Sequence, residues 1–222
     1  MISSSNTFIF DMNGTMVNDM HYHELAWYNI LVNELGAKLT QEQVKHQLYG
    51  KNEELFARVF GPDWYTDEEI DAITQRKEAL YRKEFLPELK LIDGLDDFLR
   101  IAYTLQIPLA IGTAAIPSNV DFVLDNLDIR RYFPIVIGPD DVKLSKPDPE
   151  VFLKAASDLG VLSENCIVFE DSPKGIEAAR RAGMKAIGVA SYHTPKELEN
   201  SNVIAIINDY YDPFLSRLFL DY

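Results

Sequence analysis

Residues 8–17 read FIFDMNGTMV. Phe8, Ile9 and Phe10 form an apolar run that stops at a carboxylate, Asp11, and Gly14 and Thr15 follow almost at once. This is the pattern of a buried strand delivering an acid to a tight turn. The next seventy or so residues change character. Between residues 18 and 87 only helical patterns are found: Leu25, Tyr28, Leu31, Val32 and Leu35 share one helical face. Thr40 with Gln43, and Thr66 with Glu69, have the spacing of capping boxes that open two further helices, and Pro87 ends the last.

From about residue 90 the strand pattern returns. Short apolar runs, IPLAIGT (107–113), FPIVIG (133–138), CIVFE (166–170), MKAIGVA (184–190) and VIAII (203–207), alternate with amphipathic stretches. The runs are continuous rather than alternating, as in strands buried on both faces. Between them Val120, Val123, Leu124 and Leu127 keep helical spacing, as do Phe152, Ala155, Ala156 and Leu159. The expected fold is therefore α/β, a doubly wound, Rossmann-like parallel sheet. Residues 1–17 and 88–222 form its core domain, and 18–87 form a helical cap domain inserted straight after the first strand. A cap inserted there is expected over the C-terminal edge of the sheet, where ligands bind in open α/β folds.

Composition narrows the function. Hydrophobic residues are 47% of the 222, enough for a packed core. The 21 Lys and Arg against 35 Asp and Glu leave a formal charge of −14. That balance argues against a nucleic-acid binder, which needs a basic face, and disfavours an anionic membrane surface. It also means that an anionic metabolite needs a metal or local cations to bind. The single cysteine, Cys166, lies in an apolar run and reads as a structural thiol. MISSSNTF lacks the basic and apolar regions of a signal peptide, and no apolar run approaches the ~18 residues of a membrane span, so a cytoplasmic location is expected.

The strand ends carry the chemistry. Asp11 follows FIF, Thr113 follows LAIG, Glu170 and Asp171 close CIVFE and follow it, and Lys146 stands in SKPDP before the helix that starts near Pro149. Each has a local alternative: a turn residue at Asp11, helix caps at Thr113, Glu170 and Asp171, a solvated charge at Lys146. Together they bring carboxylates fit for a hard cation, a hydroxyl and a point positive charge to one edge. Those are the parts needed to handle a phosphoryl group.

With these residues in place the sequence resembles the haloacid dehalogenase superfamily of phosphoryl-transfer enzymes. DMNGT looks like its first motif, GTAA its second, the lysine of SKPDP its third and EDSPKGIEAARRAGM its fourth, and the likeness covers essentially the whole chain. The insertion resembles the cap of the branch containing β-phosphoglucomutase, with His23 and Trp27 of YHELAW at matching places. The resemblance implies that Asp11 is a nucleophile that becomes an aspartyl phosphate. It implies that Thr113 and the N–H of Ala114 hold phosphoryl oxygens, and that Lys146 balances charge. Asp11, Asp171 and the carbonyl of Asn13 would ligate Mg²⁺, with Glu170 in or near that shell.

Two positions depart from the family pattern. Phosphatases and mutases of the superfamily carry an acid/base Asp where this chain has Asn13. A carbonyl can still ligate metal there, but the amide cannot give up a proton at neutral pH. Where the mutase grips a second phosphate with arginine, the stretch YGKNEEL offers Lys51 and Asn52, and a lysine holds phosphate only as a point charge. Three readings follow. The first is an Mg²⁺-dependent phosphatase on a small phosphorylated metabolite such as a sugar phosphate. His23, or with less weight His21, or water then supplies the proton. A variant of it acts on anhydrides, acyl phosphates or phosphonates, whose leaving groups need no acid; Lys51 is then the candidate Schiff-base lysine. The second is a β-phosphoglucomutase-like isomerase, and the third a metal- and phosphate-binding module without turnover.

Overall fold

The computed structural model describes residues 7–48, 51–220 and 222. The apolar runs form six strands: β1 (Thr7–Phe10), β2 (Leu109–Gly112), β3 (Ile135–Ile137), β4 (Cys166–Glu170), β5 (Lys185–Val189) and β6 (Val203–Ile207). They make one sheet in the order β3-β2-β1-β4-β5-β6, and every pairing is parallel. The chain builds outward from β1 to β3, then returns to lay β4, β5 and β6 on the other side. The reversal falls between β1 and β4, the topological switch point of a doubly wound sheet.

The chain divides into two compact units, Met1–Asn18 with Lys90–Tyr222, and Asp19–Leu89. In the second unit α1 (Met20–Tyr28) runs on as a π-helical stretch (Asn29–Glu34) and is followed by α2 (Gln41–Lys45), α3 (Asn52–Phe60) and α4 (Asp67–Phe85). Its apolar core joins Trp27, Ile30, Leu31, Val44, Leu55, Phe56, Ile70 and Ile73. Both capping boxes form: Thr40 Oγ1 accepts the Gln43 N–H and Thr66 Oγ1 the Glu69 N–H, and the Gln43 and Glu69 side chains accept in return. Of the expected face of α1 and its continuation, Leu31 is buried and Tyr28, Val32 and Leu35 pack against this core, and only Leu25 departs from it. Leu25 is exposed, while Trp27 and Ile30 are buried. The π-helical register, seen in the Leu35 N–H donating to the Ile30 carbonyl, widens the turn.

In the sheet unit, α5 (Leu95–Thr104), α6 (Pro117–Asn126), α7 (Glu150–Leu159) and α8 (Pro173–Arg181) complete the fold. Val120, Val123 and Leu124 of α6 are buried, as are Phe152, Ala155 and Ala156 of α7. β1, β2 and β4 are buried throughout, whereas edge strand β6 is largely half-buried. The two-residue strand period separates the faces. Phe8 and Phe10 meet Phe98 of α5 and Phe169 of β4, with Phe10 and Phe169 stacked at 4.6 Å. Ile9 and Val168 point to the other face, among Phe152, Ala155 and Ile176. Among the described residues no helix is long and apolar enough to cross a membrane.

Candidate active site

Register brings the two acidic loops together. Phe10 pairs with Phe169, and the Asp11 N–H still donates to the Phe169 carbonyl at 3.0 Å. Asp11 thus leaves β1 beside Glu170 at the end of β4. By the same period Asp11 follows Ile9, and Glu170 follows Val168, toward the face covered by α7. Lys146, just before α7, arrives on that face. Its ammonium donates to Asp11 Oδ1 at 2.6 Å and to Glu170 Oε1 at 2.8 Å, with Nζ 4.7 Å from the Phe152 ring centroid. Lys146 is therefore no solvated surface charge. Burial by itself lowers its pKa, but Asp11 and Glu170 together outweigh it and raise Lys146 above the ordinary lysine range. It stays an ammonium through neutral and mildly alkaline pH.

Glu170 is held on its other side too. Its Oε2 accepts the Ser172 N–H at 2.7 Å and the Ser172 hydroxyl at 2.9 Å. Ser172 Oγ in turn accepts the Gly175 N–H and caps α8, so neither Glu170 nor Asp171 serves as that cap. Gly175 is dictated by packing, because a Cβ there would sit 1.7 Å from Glu170 Oε1. Gly175→Ala should destabilise the protein by about 1–3 kcal/mol and displace the carboxylate. Denaturant unfolding checks this; an unshifted midpoint would show that Glu170 has room to move. Gly14 is required on two counts: its φ is +74°, and a Cβ would lie 2.2 Å from Asp171 Oδ2.

Asp11, Glu170 and Asp171 are all buried, and each offers a carboxylate oxygen within 4.8 Å of the others. Lys146 supplies one positive charge to a group with three negative ones. Hard oxygen donors packed this closely fit a cation of the Mg²⁺ type, which would relieve their mutual repulsion. Asn13 sits in the same turn, bridged to Val17, while Thr15 Oγ1 lies 3.5 Å from Asp11 Oδ2. Thr113 ends β2, the other neighbour of β1. Its buried hydroxyl accepts the Ala115 N–H at 3.0 Å and keeps its own proton to donate. Ala114 is exposed at the tip of that turn. Four strand-end groups, Asp11, Thr113, Glu170 and Asp171, thus stand on one edge of the sheet, and Lys146 reaches Asp11 and Glu170 from the segment before α7.

The candidates in the helical unit have their own surroundings. His23 is largely buried, with Nδ1 accepting from Lys77 Nζ at 2.6 Å and its ring stacked on Tyr81 at 3.8 Å. Asn52 donates to Thr74 Oγ1 at 3.1 Å. Lys51 and His21 are exposed; Tyr49 and Gly50, which open YGKNEEL, lie outside the described residues. The sequence reading missed Lys77, Glu78, Tyr81 and Asp19. Lys77 is 2% exposed and donates to Glu78 Oε1 at 2.9 Å, and Tyr81 donates to Asp19 Oδ2 at 2.5 Å. Burial lowers the Lys77 pKa, against Glu78 and Asp19. A signal existed: Ile70, Ile73, Thr74, Lys77, Glu78, Tyr81 and Phe85 follow the 3–4 spacing of one buried face of α4, so two charged residues stand on an apolar phase.

Residues 8–189 match the haloacid dehalogenase-like hydrolase family. Among curated relatives, the chain is 32% identical over 181 residues to the fructose-1-phosphate phosphatase YqaB of Escherichia coli, covering 82% of this chain and 94% of that one. It is 30% identical to the β-phosphoglucomutase of Bacillus subtilis, covering 82% and 81%. To a chloroplastic 5-amino-6-(5-phospho-D-ribitylamino)uracil phosphatase of Arabidopsis thaliana it is 28% identical over 88% of its own length, but it spans only about half (52%) of that relative. A solved structure of a haloacid dehalogenase hydrolase of family IA, variant 3, from Entamoeba histolytica superposes with a TM-score of 0.85 at 29% identity, covering 96% of this chain and 97% of that one.

Proposed function

The chain belongs to the haloacid dehalogenase-like hydrolase family and is a phosphohydrolase, and from that premise we propose that it is a cytoplasmic, Mg²⁺-dependent phosphatase of a small phosphorylated metabolite, with a sugar phosphate as the favoured class. One observation carries the reading: Lys146 joins Asp11 and Glu170 through hydrogen bonds at the switch point of the sheet, with Asp171 and Thr113 on the same edge. Asp11 is the nucleophile. Its carboxylate attacks phosphorus, the ester bond breaks as the leaving oxygen takes a proton from water, and a second water then hydrolyses the aspartyl phosphate to inorganic phosphate and the free Asp11 carboxylate. Lys146 and the Thr113 hydroxyl, with the Ala114 N–H, hold the phosphoryl oxygens and oppose their charge. Asp11, Asp171 and the Asn13 carbonyl, with Glu170 at or next to them, would hold Mg²⁺, which supplies further neutralisation of the transferring group. Residues 18–87 act as the cap that selects the substrate, with His23, Lys51 and Asn52 as its contacts.

A panel of phosphate esters, acyl phosphates and phosphonates, assayed with and without Mg²⁺, tests the proposal. Metal-dependent release of inorganic phosphate is the expected result. Sugar phosphate interconversion primed by a bisphosphate would instead make the chain a mutase like its Bacillus relative. Silence on every substrate would leave a binding module. Lys146→Ala should lower kcat/KM at least about ten-fold, because a lost charge-assisted contact in a desolvated site costs ~1.5–3 kcal/mol. An unchanged kcat/KM would remove Lys146 from the phosphoryl site.

A further inference from the structure

Two hydrogen bonds outside the strand-end constellation tie together the loops that carry it. The chain leaves β5 through Ser191, Tyr192 and His193. The Ser191 hydroxyl donates to the Gly14 carbonyl. His193 Nδ1 lies 3.0 Å from the Asp171 carbonyl, which can only accept, so Nδ1 carries the proton. Gly14 belongs to the loop after β1 and Asp171 to the loop after β4. These loops bear the proposed metal ligands, and one three-residue segment spans both.

Each bond fixes a peptide plane next to a proposed ligand or its support. The Gly14 carbonyl follows directly after that of Asn13. The Asp171 carbonyl precedes the Ser172 N–H that holds Glu170. The turn after β1 does not depend on Ser191 to fold. The Gly14 N–H donates to Val17, Met16 to Met12 and Ile92 to Met16, and the Tyr210 phenol donates to the Thr15 carbonyl at 3.0 Å. Burial, with Asp11 and Asp171 nearby, raises the Tyr210 pKa and keeps that donor protonated. Ser191 and His193 are thus free to set the spacing between two loops that are each already folded.

We propose that Ser191 and His193 are positioning residues, a clamp that holds the β1 and β4 loops at the separation needed to bind a divalent cation. The inference rests on the proposed metal site and assigns it two residues remote in sequence from its ligands. Positions that orient metal ligands typically alter affinity about 10–100-fold when their hydrogen bonds are lost.

Mn²⁺ serves as the probe, with binding to the whole chain followed by the electron paramagnetic resonance signal of the free ion. Ser191→Ala and His193→Ala should each weaken Mn²⁺ binding about ten-fold with little change in Tm. Ser191→Thr and His193→Asn, which keep a hydroxyl and a donor in place, should bind as the parent does. A clamp works only with both arms, so the double variant should lose much less than the product of the two single losses. Single variants that bind Mn²⁺ like a binding-competent parent would overturn the clamp and leave the phosphatase reading standing. So would multiplicative losses, which mark independent contacts, or losses that follow Tm and are not restored by the conservative variants. A parent that binds no Mn²⁺ would overturn the metal site itself, and the clamp with it.

Discussion

Asp11→Ala abolishes phosphate release, by at least ~10³-fold, while the protein still folds; that is the expected result if Asp11 forms the covalent bond to phosphorus. No neighbour can replace it. Glu170 engages Lys146 and Ser172 with its two oxygens, and the Asp171 carboxylate lies against Gly14. The fold should tolerate the loss, because removing one of three clustered carboxylates relieves repulsion and leaves Lys146 bonded to Glu170. Unfolding without added metal should therefore show an unchanged or higher Tm. Retention of more than a few per cent of turnover in a folded variant would falsify the nucleophile assignment.

Asn13→Asp is the second large effect, and its sign is opposite. Asp and Asn match closely in size, so the turn and the carbonyl at position 13 should survive. The variant gains a group that can protonate a leaving alkoxide and take a proton from the attacking water. For an alkyl phosphate the expected gain is ~10²-fold or more. For an acyl phosphate, whose leaving group needs no proton, it should be small, so the ratio between the two substrates is the informative quantity. Rapid-quench measurement of the phosphoenzyme should show a shorter lifetime in the variant. Equal rates and equal lifetimes would mean that position 13 carries no proton here. The wild-type sample needs an intact-mass check, since Asn followed by Gly can deamidate to Asp. The fold slows that route, because the Gly14 nitrogen that would attack the side chain is donating to Val17 at 2.8 Å.

Much of this molecule is local and therefore written in its sequence. Strands buried on both faces need continuous apolar runs, and CIVFE became the fully buried β4, while the similar run VIAII became the half-buried edge strand β6; both have their expected ends. Capping boxes are satisfied within four residues, and both formed. The helical character of residues 18–87 follows from the same short-range periodicity. Asp11, Thr113, Lys146, Glu170 and Asp171 could be singled out because each stands at the end of an element whose pattern is itself local.

What the tertiary structure decided depends on contacts between distant residues. The Lys146 bridge exists because the Phe10–Phe169 register brings two strands together that lie far apart in the chain. Lys77 reads as an ordinary helix lysine until the helices pack, and only then does burial against His23 and Glu78 become its environment. Packing of the helices left Leu25 exposed, although its spacing places it on one face with Tyr28, Leu31, Val32 and Leu35, which do meet the core. Ser191 and His193 donate to main-chain carbonyls, which every residue possesses. Such a bond leaves no mark on the identity of its acceptor, so it becomes visible only once the loops after β1, β4 and β5 are folded together.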